Sequence, residues 1–466
     1  MTFDSKMRVL RLLDVHRARE CITVTCGLDD LRFHFSVWYE DVDLHELAAV
    51  HGEELLERLA FHIALFQINA VASLRPDAIE LGRYARYATP RFVELWRTVF
   101  RRVWAQWRWE HQLPDYEGPE FVDAPKTATP SHAVHTEAGP VPWLVFSGGG
   151  KDSLVALKLF ERGQLPFATL AYAHSIYGDA AFQHALIERV GSATARARAE
   201  RQWILDDFLG SPVVQLRPSL GVRSVLAAET PASVFAALPL ALARGYRGLV
   251  VAHEHGANSG NLVWAATGEE VNHQWGKSWE AERMLDAYVQ AELLADVRYF
   301  SVLAPVHDEV IFELLSGNAE LAPLTHSCNV RKPWCGACAK CAYVWLQMAA
   351  HLPPDIVEAT FGTDLGERPE NERWFRELCG LEEHTPFECV GSVAEARLAL
   401  GLLAGRRPLG PRLARLAAEL GPLDLRALAK PLVVVDERHG MPESVAARVM
   451  PQLTTAASAA RLRLGC

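Results

Sequence analysis

One loop of the sequence reads Phe146-Ser147-Gly148-Gly149-Gly150-Lys151-Asp152-Ser153. It follows an apolar run at 143–146, which predicts a short strand, and it precedes residues 153–162, whose apolar spacing predicts a helix. Consecutive glycines let the backbone approach an anion closely with its amides turned inward. The positive end of the following helix points at the same place. The loop therefore predicts a phosphate-binding site beside a strand.

The polar residues of this loop extend the prediction. We expect Lys151 to bring a mobile positive charge to the phosphate, and Ser153 to cap the helix or bind a phosphate oxygen. Asp152 would repel an anion unless a divalent cation lay between them, so we assign Asp152 to Mg²⁺. The spacing differs from the Walker motif and from the dinucleotide fingerprint. A glycine-rich turn without a ligand is the alternative. The predicted nucleotide-binding residues are Ser147, Gly148, Gly149, Gly150, Lys151, Asp152 and Ser153.

Strands and helices alternate beyond the loop. Apolar runs at 167–172, 213–216 and 248–252 predict strands, and the stretches between them are helical in spacing. This alternation predicts βαβ units and therefore an α/β fold with a parallel sheet. The predicted organisation is an N-terminal α+β domain at 1–118 with substrate recognition as its expected role, a linker at 119–140, a nucleotide-binding domain at 141–325, a cysteine knuckle at 326–350 and a mainly helical region at 351–466.

The knuckle packs four cysteines into fourteen residues: Cys328, Cys335, Cys338 and Cys341. Two overlapping C-x-x-C steps and one upstream cysteine are typical of a tetrahedral zinc site. Such a site has no vacant ligand position, so the zinc would be structural. Four buried or redox-active thiols are the alternative.

The composition excludes several classes of protein. Hydrophobic residues make up 50% and charged residues 22%, which is typical of a globular protein and not of a disordered one. Lys and Arg total 47 and Asp and Glu total 57, and the resulting charge of −10 argues against a nucleic-acid or membrane partner. No apolar run approaches the roughly 20 residues that span a bilayer. We expect a cytoplasmic protein with a small-molecule substrate.

Titratable and amide side chains are dense in two stretches, 251–261 and 270–280. The first follows the predicted strand at 248–252, so it should lie at the carboxyl edge of the sheet, where ligands bind. The second contains Asn272, His273, Gln274 and Lys277. We interpret both stretches as substrate-binding. A solvated loop with capped helix starts is the alternative.

The glycine loop resembles that of the PP-loop ATP pyrophosphatase superfamily, whose pattern is Ser-Gly-Gly-x-Asp-Ser. Gly148 stands in place of the first serine, and Ser147 lies one position earlier. This departure leaves open which hydroxyl contacts pyrophosphate. The resemblance implies a doubly wound parallel sheet that binds ATP, transfers AMP to a substrate oxygen and releases pyrophosphate.

A second resemblance is more specific. The segments that carry it are Glu254, 258–261, 271–275, 277–278, 298–303, 327–329 and 386–391. They are similar to the MurL family, over a region from about residue 141 to about residue 400. The resemblance implies an ATP-dependent epimerase of peptidoglycan synthesis, which converts the terminal L-Glu of UDP-N-acetylmuramoyl-L-alanyl-L-glutamate to D-Glu.

This chemistry needs groups that move a proton. Our candidates for proton transfer are Glu254, His255 and His273, and Lys277 is our candidate for stabilising the adenylate or enolate charge. Cys389 is a further candidate acid or base, although a lone cysteine is more often only buried.

Two other functions stay open at this point. The same loop fits another adenylating enzyme, such as a 7-cyano-7-deazaguanine synthase-like or amide-forming ligase, although the sequence carries no glutaminase signature. A non-catalytic nucleotide-binding protein is disfavoured, because Lys151, Asp152 and Ser153 are all present.

Overall fold

The computed structural model describes residues 7–125 and 133–466, so part of the predicted linker at 119–140 lies outside the described residues. Within these ranges most strands join one ten-stranded sheet. The strands in chain order are β1 (Val9–Arg17), β2 (Cys21–Leu28), β3 (Leu31–Tyr39), β4 (Ala78–Glu80), β5 (Glu120–Phe121), β6 (Trp143–Ser147), β7 (Phe167–His174), β8 (Arg198–Asp206), β9 (Gly248–Val251), β10 (Leu262–Val263), β11 (Glu270–Val271) and β12 (Arg298–Ser301).

Helices surround the sheet, and the end of the chain is helical, as predicted. The helices of the first half are α1 (Leu44–His51), α2 (Glu53–Ile68), α3 (Pro90–Thr98), α4 (Ala105–Glu110), α5 (Lys151–Arg162), α6 (Ala180–Gly191), α7 (Pro212–Gln215), α8 (Val222–Val225) and α9 (Glu229–Arg244). Those of the second half are α10 (Trp279–Glu292), α11 (Asp308–Ser316), α12 (Ala339–His351), α13 (Pro354–Phe361), α14 (Glu372–Leu378), α15 (Val393–Arg406), α16 (Pro411–Leu420), α17 (Leu425–Leu432) and α18 (Glu443–Leu464).

The central strands are parallel and lie in the order β12-β9-β6-β7-β8. The chain runs from β6 outward through β7 to β8, and then returns to the other side of β6 for β9 and β12. The direction of winding therefore reverses between β6 and β9. In open parallel sheets a crevice forms at this point, outside the carboxyl ends of the strands. The predicted α/β architecture is confirmed, and it places the glycine loop at this crevice.

The N-terminal strands extend the same sheet. β3 pairs antiparallel with β8, with Trp38 opposite Trp203, and β2 and β1 follow outward. The ring of Phe66 on α2 stacks on Phe235 of α9, with 4.6 Å between the ring centroids. Residues 7–125 therefore share both a sheet and a hydrophobic core with the central strands.

One strand lies elsewhere than predicted. Residues 213–216 were expected to be a strand, but Pro212–Gln215 is a helical turn, because Pro212 occupies its first position and favours a helix start. The strand is instead β8, within residues predicted to be helical. Its inward positions include Glu200 and Gln202, which are buried and hydrogen-bonded, so the apolar alternation of a strand is missing from its sequence.

Two described helical stretches, Glu53–Leu74 and Pro218–Arg244, are long and apolar enough to cross a membrane, which the sequence analysis did not anticipate. Of their most apolar windows, 89% and 78% are buried inside the fold. They carry α2 and α9, which pack against each other, so their apolar character is explained by the core.

Replacing Phe66 by alanine tests whether this core is shared. Phe66 is 4% exposed, and its loss should lower the free energy of unfolding by about 3–5 kcal/mol, because a cavity forms against Phe235. Urea denaturation followed by tryptophan fluorescence measures the change. The matched control is Phe182→Ala, since Phe182 is 43% exposed and should cost about 0.5 kcal/mol or less. Equal effects of the two substitutions would contradict a shared core.

Candidate active site

A cleft of about 310 Å³ opens at the carboxyl ends of β6 and β9. The loop after β6 forms one wall with Ser147 and Gly148, and Ala252 and His253 after β9 form another. Further lining comes from β7, from helices α5, α6 and α9, from the segment that carries the cysteines, and from Lys277 and Cys389. The cleft therefore lies where the reversal of the strand order predicts a ligand site.

The glycine loop turns its backbone toward this cleft. Gly149 has φ +78°, and a Cβ built on it would lie 1.9 Å from Cε1 of His326, so only glycine fits there. Gly148 faces open space instead, and its amide donates to the hydroxyl of Ser153 at 3.2 Å. Helix α5 begins at Lys151 without a side-chain cap on its first amides. These amides are available to an anion.

Three buried polar atoms of the cleft lack a hydrogen-bond partner among the described residues. They are the hydroxyl oxygen of Ser147 and the Nδ1 atoms of His253 and His326, and Ser147 and His326 are 1% and 2% exposed. All three residues line the cleft. Buried polar atoms are normally hydrogen-bonded, so a polar ligand that bonds with them is the expected complement of this cleft.

Lys151 does not carry the mobile charge that the sequence analysis expected. Its ammonium is 2.6 Å from a carboxylate oxygen of Asp152 and 2.5 Å from one of Asp308. Burial alone would lower the pKa of Lys151, but the two carboxylates outweigh burial and raise it. The ion pair therefore holds Lys151 in the protein interior, where it joins the start of α5 to the start of α11.

The positive charges at the cleft come from other segments. Lys277, Lys332 and Lys340 all line it, and the last two belong to the cysteine-bearing segment. The ammonium of Lys332 lies over the ring of Tyr177, 5.1 Å from its centroid. Sequence analysis missed Lys332 and Lys340 as site residues, although their positions between the cysteines were a signal that could have identified them.

The four predicted cysteines come together. The sulfur atoms of Cys328 and Cys338 are 3.8 Å apart, and those of Cys335 and Cys341 are also 3.8 Å apart. A tetrahedral zinc with bonds of about 2.3 Å places its sulfur ligands about 3.8 Å from one another. Backbone amides of Val330, Arg331, Ala337 and Cys341 point at these sulfur atoms, at 3.3–3.4 Å. The arrangement can hold one metal ion through four thiolates.

Segment 385–391 brings Cys389 to the cleft and is held by hydrogen bonds from the amide-rich stretches. Asn261 donates to the carbonyl of Pro386 at 2.8 Å, and Gln274 donates to that of Val390 at 2.9 Å. Between these ties lies Cys389, whose sulfur is 2.9 Å from the ammonium of Lys277. The amides that the sequence analysis assigned to the substrate thus position the segment that bears Cys389.

Glu254 lies beside the cleft, in a small inner cavity of about 50 Å³ that it shares with Lys277 and Cys389. Burial, together with the nearby carboxylates of Glu395 and Asp308, raises the pKa of Glu254 well above its usual range. This shift favours the protonated form of the carboxyl group.

The two histidine candidates lie in different surroundings. The ring of His255 packs on His307 with centroids 4.4 Å apart, and its Nδ1 is 3.2 Å from the carbonyl of Ala304. It is not among the residues that line the cleft or the inner cavity. His273 lies behind Cys389, and its Nδ1 is 2.6 Å from the side-chain oxygen of Gln106.

Asp308 and Glu395 also belong to the site, and the sequence analysis missed them. Oδ2 of Asp308 accepts a hydrogen bond from Tyr343 at 2.7 Å, and its backbone amide donates to Glu395 at 3.0 Å. Nothing in the local sequence marks these acids, because their role depends on Lys151 and Glu254, which are distant along the chain.

Two family models match parts of this chain. The model of the MurL N-terminal domain matches residues 230–302, which carry Glu254 and Lys277, and that of the MurL C-terminal domain matches residues 315–411, which carry the four cysteines and Cys389.

Over these two regions the chain is similar to the MurL family.

Three MurL relatives are each named UDP-N-acetyl-alpha-D-muramoyl-L-alanyl-L-glutamate epimerase. The relative from Micromonospora sp. is 33% identical over 55% of this chain and 56% of its own length. The relative from Xanthomonas oryzae pv. oryzae is 29% identical over 66% of this chain and 67% of its own length. The relative from Salinispora tropica is 30% identical over 55% of this chain and 54% of its own length. The matched region thus spans little more than half of the first relative.

Substitutions in the glycine loop should separate folding from ligand binding in this chain. Gly149→Ala should lower the melting temperature, because a side chain at φ +78° is strained and the new methyl group would collide with His326. We expect a loss of about 1–3 kcal/mol, measured by chemical denaturation. The control is Gly148→Ala, which meets no atom within 4 Å and should leave stability unchanged. A stable Gly149→Ala variant would contradict the loop conformation.

Proposed function

We propose that this chain is a cytoplasmic, ATP-dependent isomerase of peptidoglycan precursor synthesis. It converts the terminal L-Glu of UDP-N-acetylmuramoyl-L-alanyl-L-glutamate to D-Glu through an acyl adenylate, with release of AMP and pyrophosphate. One observation carries the proposal: a phosphate-type glycine loop and a group of acid–base side chains, Cys389, Lys277 and Glu254, adjoin the same cleft. The names of the relatives supply the substrate.

The residues of the cleft fit a nucleoside triphosphate. The hydroxyl of Ser147 and Nδ1 of His326 need a polar partner, the first amides of α5 lack a side-chain cap, and Lys332 and Lys340 add positive charge. Asp152 lines the cleft and would hold Mg²⁺, which would neutralise phosphate charge. These features favour a sheet of the PP-loop type, with the pyrophosphate at the start of α5.

Adenylation explains why such a reaction would consume ATP. The α-hydrogen next to a free carboxylate is barely acidic, because its removal would create a dianion. Attaching AMP to that carboxylate removes one charge and lets the carbonyl oxygen accept the electrons. The ammonium of Lys277 would stabilise this oxygen, and protonated Glu254 would return a proton to carbon. The position of His255 argues against a direct role for it.

The four cysteines would hold a structural zinc ion. The zinc ion would cross-link this part of the chain and would take no part in the reaction, because four thiolate ligands leave no coordination position for a substrate. The cross-link would fix a segment that presents Asn329, Lys332 and Lys340 to the cleft. The metal would therefore act on catalysis only through the placement of these side chains.

An assay that follows both ATP cleavage and inversion of the glutamate tests the proposed function. With UDP-muramoyl-L-Ala-L-Glu, ATP and Mg²⁺ in deuterated water, we expect equimolar AMP and pyrophosphate, D-Glu in the hydrolysed product and deuterium at its α-carbon. Chiral chromatography and mass spectrometry measure these outcomes. Gly148→Ala, expected to fold normally, should weaken ATP binding because its methyl group faces the cleft. Turnover of ATP to AMP that is indifferent to the dipeptide nucleotide would reject this function.

Metal analysis tests the zinc site separately. The purified chain should contain about one zinc ion per molecule, and Cys335→Ser should lower that content, because it removes one of the four thiolates. Cys379→Ser is the matched control, since Cys379 is buried in the same helical region outside this group. Elemental analysis after dialysis gives the metal content independently of activity. Equal zinc in both variants would exclude these cysteines as ligands.

A further inference from the structure

We propose that the thiolate of Cys389, which lines the cleft beside Lys277 and His273, removes the α-proton of the adenylated glutamate. This inference rests on the proposed function and deepens it by naming the base. The sulfur lies 2.9 Å from the ammonium of Lys277, and Cys389 lines both the main cleft and the inner cavity that contains Glu254. The thiol therefore borders both the space that the glycine loop lines and the space that Glu254 lines.

Cys389 belongs to a site that is built for a ligand. The unpartnered hydroxyl of Ser147 and Nδ1 of His326, each nearly completely buried, line the same cleft. The segment around Cys389 is fixed by Asn261 and Gln274, and also by a hydrogen bond from Lys340 to the carbonyl of Cys389. A cysteine that served only to fill the core would need neither a cation nor this anchoring.

A chain of hydrogen bonds fixes the orientation of His273. The amide nitrogen of Gln106 donates to Glu110 at 2.6 Å, so the oxygen of Gln106 is the atom that faces His273. Nδ1 of His273 must then carry the hydrogen, which leaves Nε2 free to accept one. His273 interacts with the thiol of Cys389, so transfer of the thiol proton to Nε2 would leave an imidazolium N–H that donates to the thiolate. His273 is thus a positioning residue for the thiolate.

The charges around the thiol favour its ionised form. Burial raises the pKa of Cys389, but Lys277 and the hydrogen bond with His273 outweigh burial and lower it to about 6. The pKa of Glu254 is shifted in the opposite direction, upward, by burial and by the neighbouring carboxylates. A pair of groups with pKa values pushed apart in this way can act as base and acid at the same pH.

The proposed step balances without any further reactant. The sulfur lone pair takes the α-proton, so an S–H bond forms as the Cα–H bond breaks. The electron pair of that bond moves to the carbonyl oxygen of the adenylate. Glu254 then delivers a proton to the opposite face of the carbon, and water cleaves the adenylate. Positioned proton transfer of this kind contributes about 10²–10⁴-fold to a rate.

Alkylation of Cys389 tests whether its thiol is ionised, independently of the epimerisation reaction. Labelling of the full-length chain with iodoacetamide, followed at the Cys389 peptide by mass spectrometry, should show a rate with its midpoint near pH 6, following the pKa of about 6. Lys277→Gln should move that midpoint upward by at least one pH unit, because the cation is lost. Exposed Cys466 serves as the internal control. An unshifted midpoint, or a Cys389 that is never labelled while Cys466 is, would overturn the proposal.

Isotope exchange tests the catalytic role. Cys389→Ala and Cys389→Ser should lower epimerisation and deuterium uptake at least 100-fold, while dipeptide-dependent AMP release stays within about threefold of the native chain. Cys379→Ala, outside the cleft, is the matched control and should retain both reactions. Loss of AMP release together with epimerisation would assign Cys389 to binding or folding, and epimerisation near the native rate would also overturn the inference. If the native chain released no AMP, the proposed function would be rejected instead. The alkylation experiment would still report on the ionisation of Cys389, because it does not depend on turnover.

Discussion

The burial of one ammonium ion constrains the whole site. Lys151 is 2% exposed, and a buried ammonium is stable only among carboxylates. Asp152 and Asp308 provide them, and Asp308 is itself held by Tyr343. Breaking such a buried pair costs about 3–5 kcal/mol, whereas a typical hydrogen bond contributes about 1 kcal/mol. The shape of the glycine loop therefore depends chiefly on a charge that does not face the cleft.

Because Lys151 is paired with Asp152 and Asp308, the ligand-binding groups of the cleft come from segments that are distant along the chain. The loop after β6 provides backbone amides, the cysteine-bearing segment provides Lys332 and Lys340, and the segment before α15 provides Cys389. The crossover between β6 and β9 creates the space where these segments meet. The sheet determines where the site lies, and the helical C-terminal region determines which side chains fill it.

The sequence predicted those features whose cause is local. The glycine loop is one, since the strand, the glycines and the helix are contiguous, and the spacing of the four cysteines is another. Strand β8 was not predicted, because its buried Glu200 and Gln202 find partners in other elements. The fixed position of Lys151 depends on Asp308, 157 residues away, and the proposed ionisation of Cys389 depends on Lys277, 112 residues away. Charges that act through space leave no periodic signal in a sequence.

The pairing of β3 with β8 has a consequence for any attempt to isolate the nucleotide-binding half of the chain. β8 is paired on one side with β7 and on the other with β3. A fragment that began at β6 would lose β3 and would leave the amides and carbonyls of β8 bare along one side. An uncovered strand of this kind templates pairing with a second molecule. Such a fragment would self-associate, so the smallest soluble unit that retains the cleft must also retain the N-terminal strands.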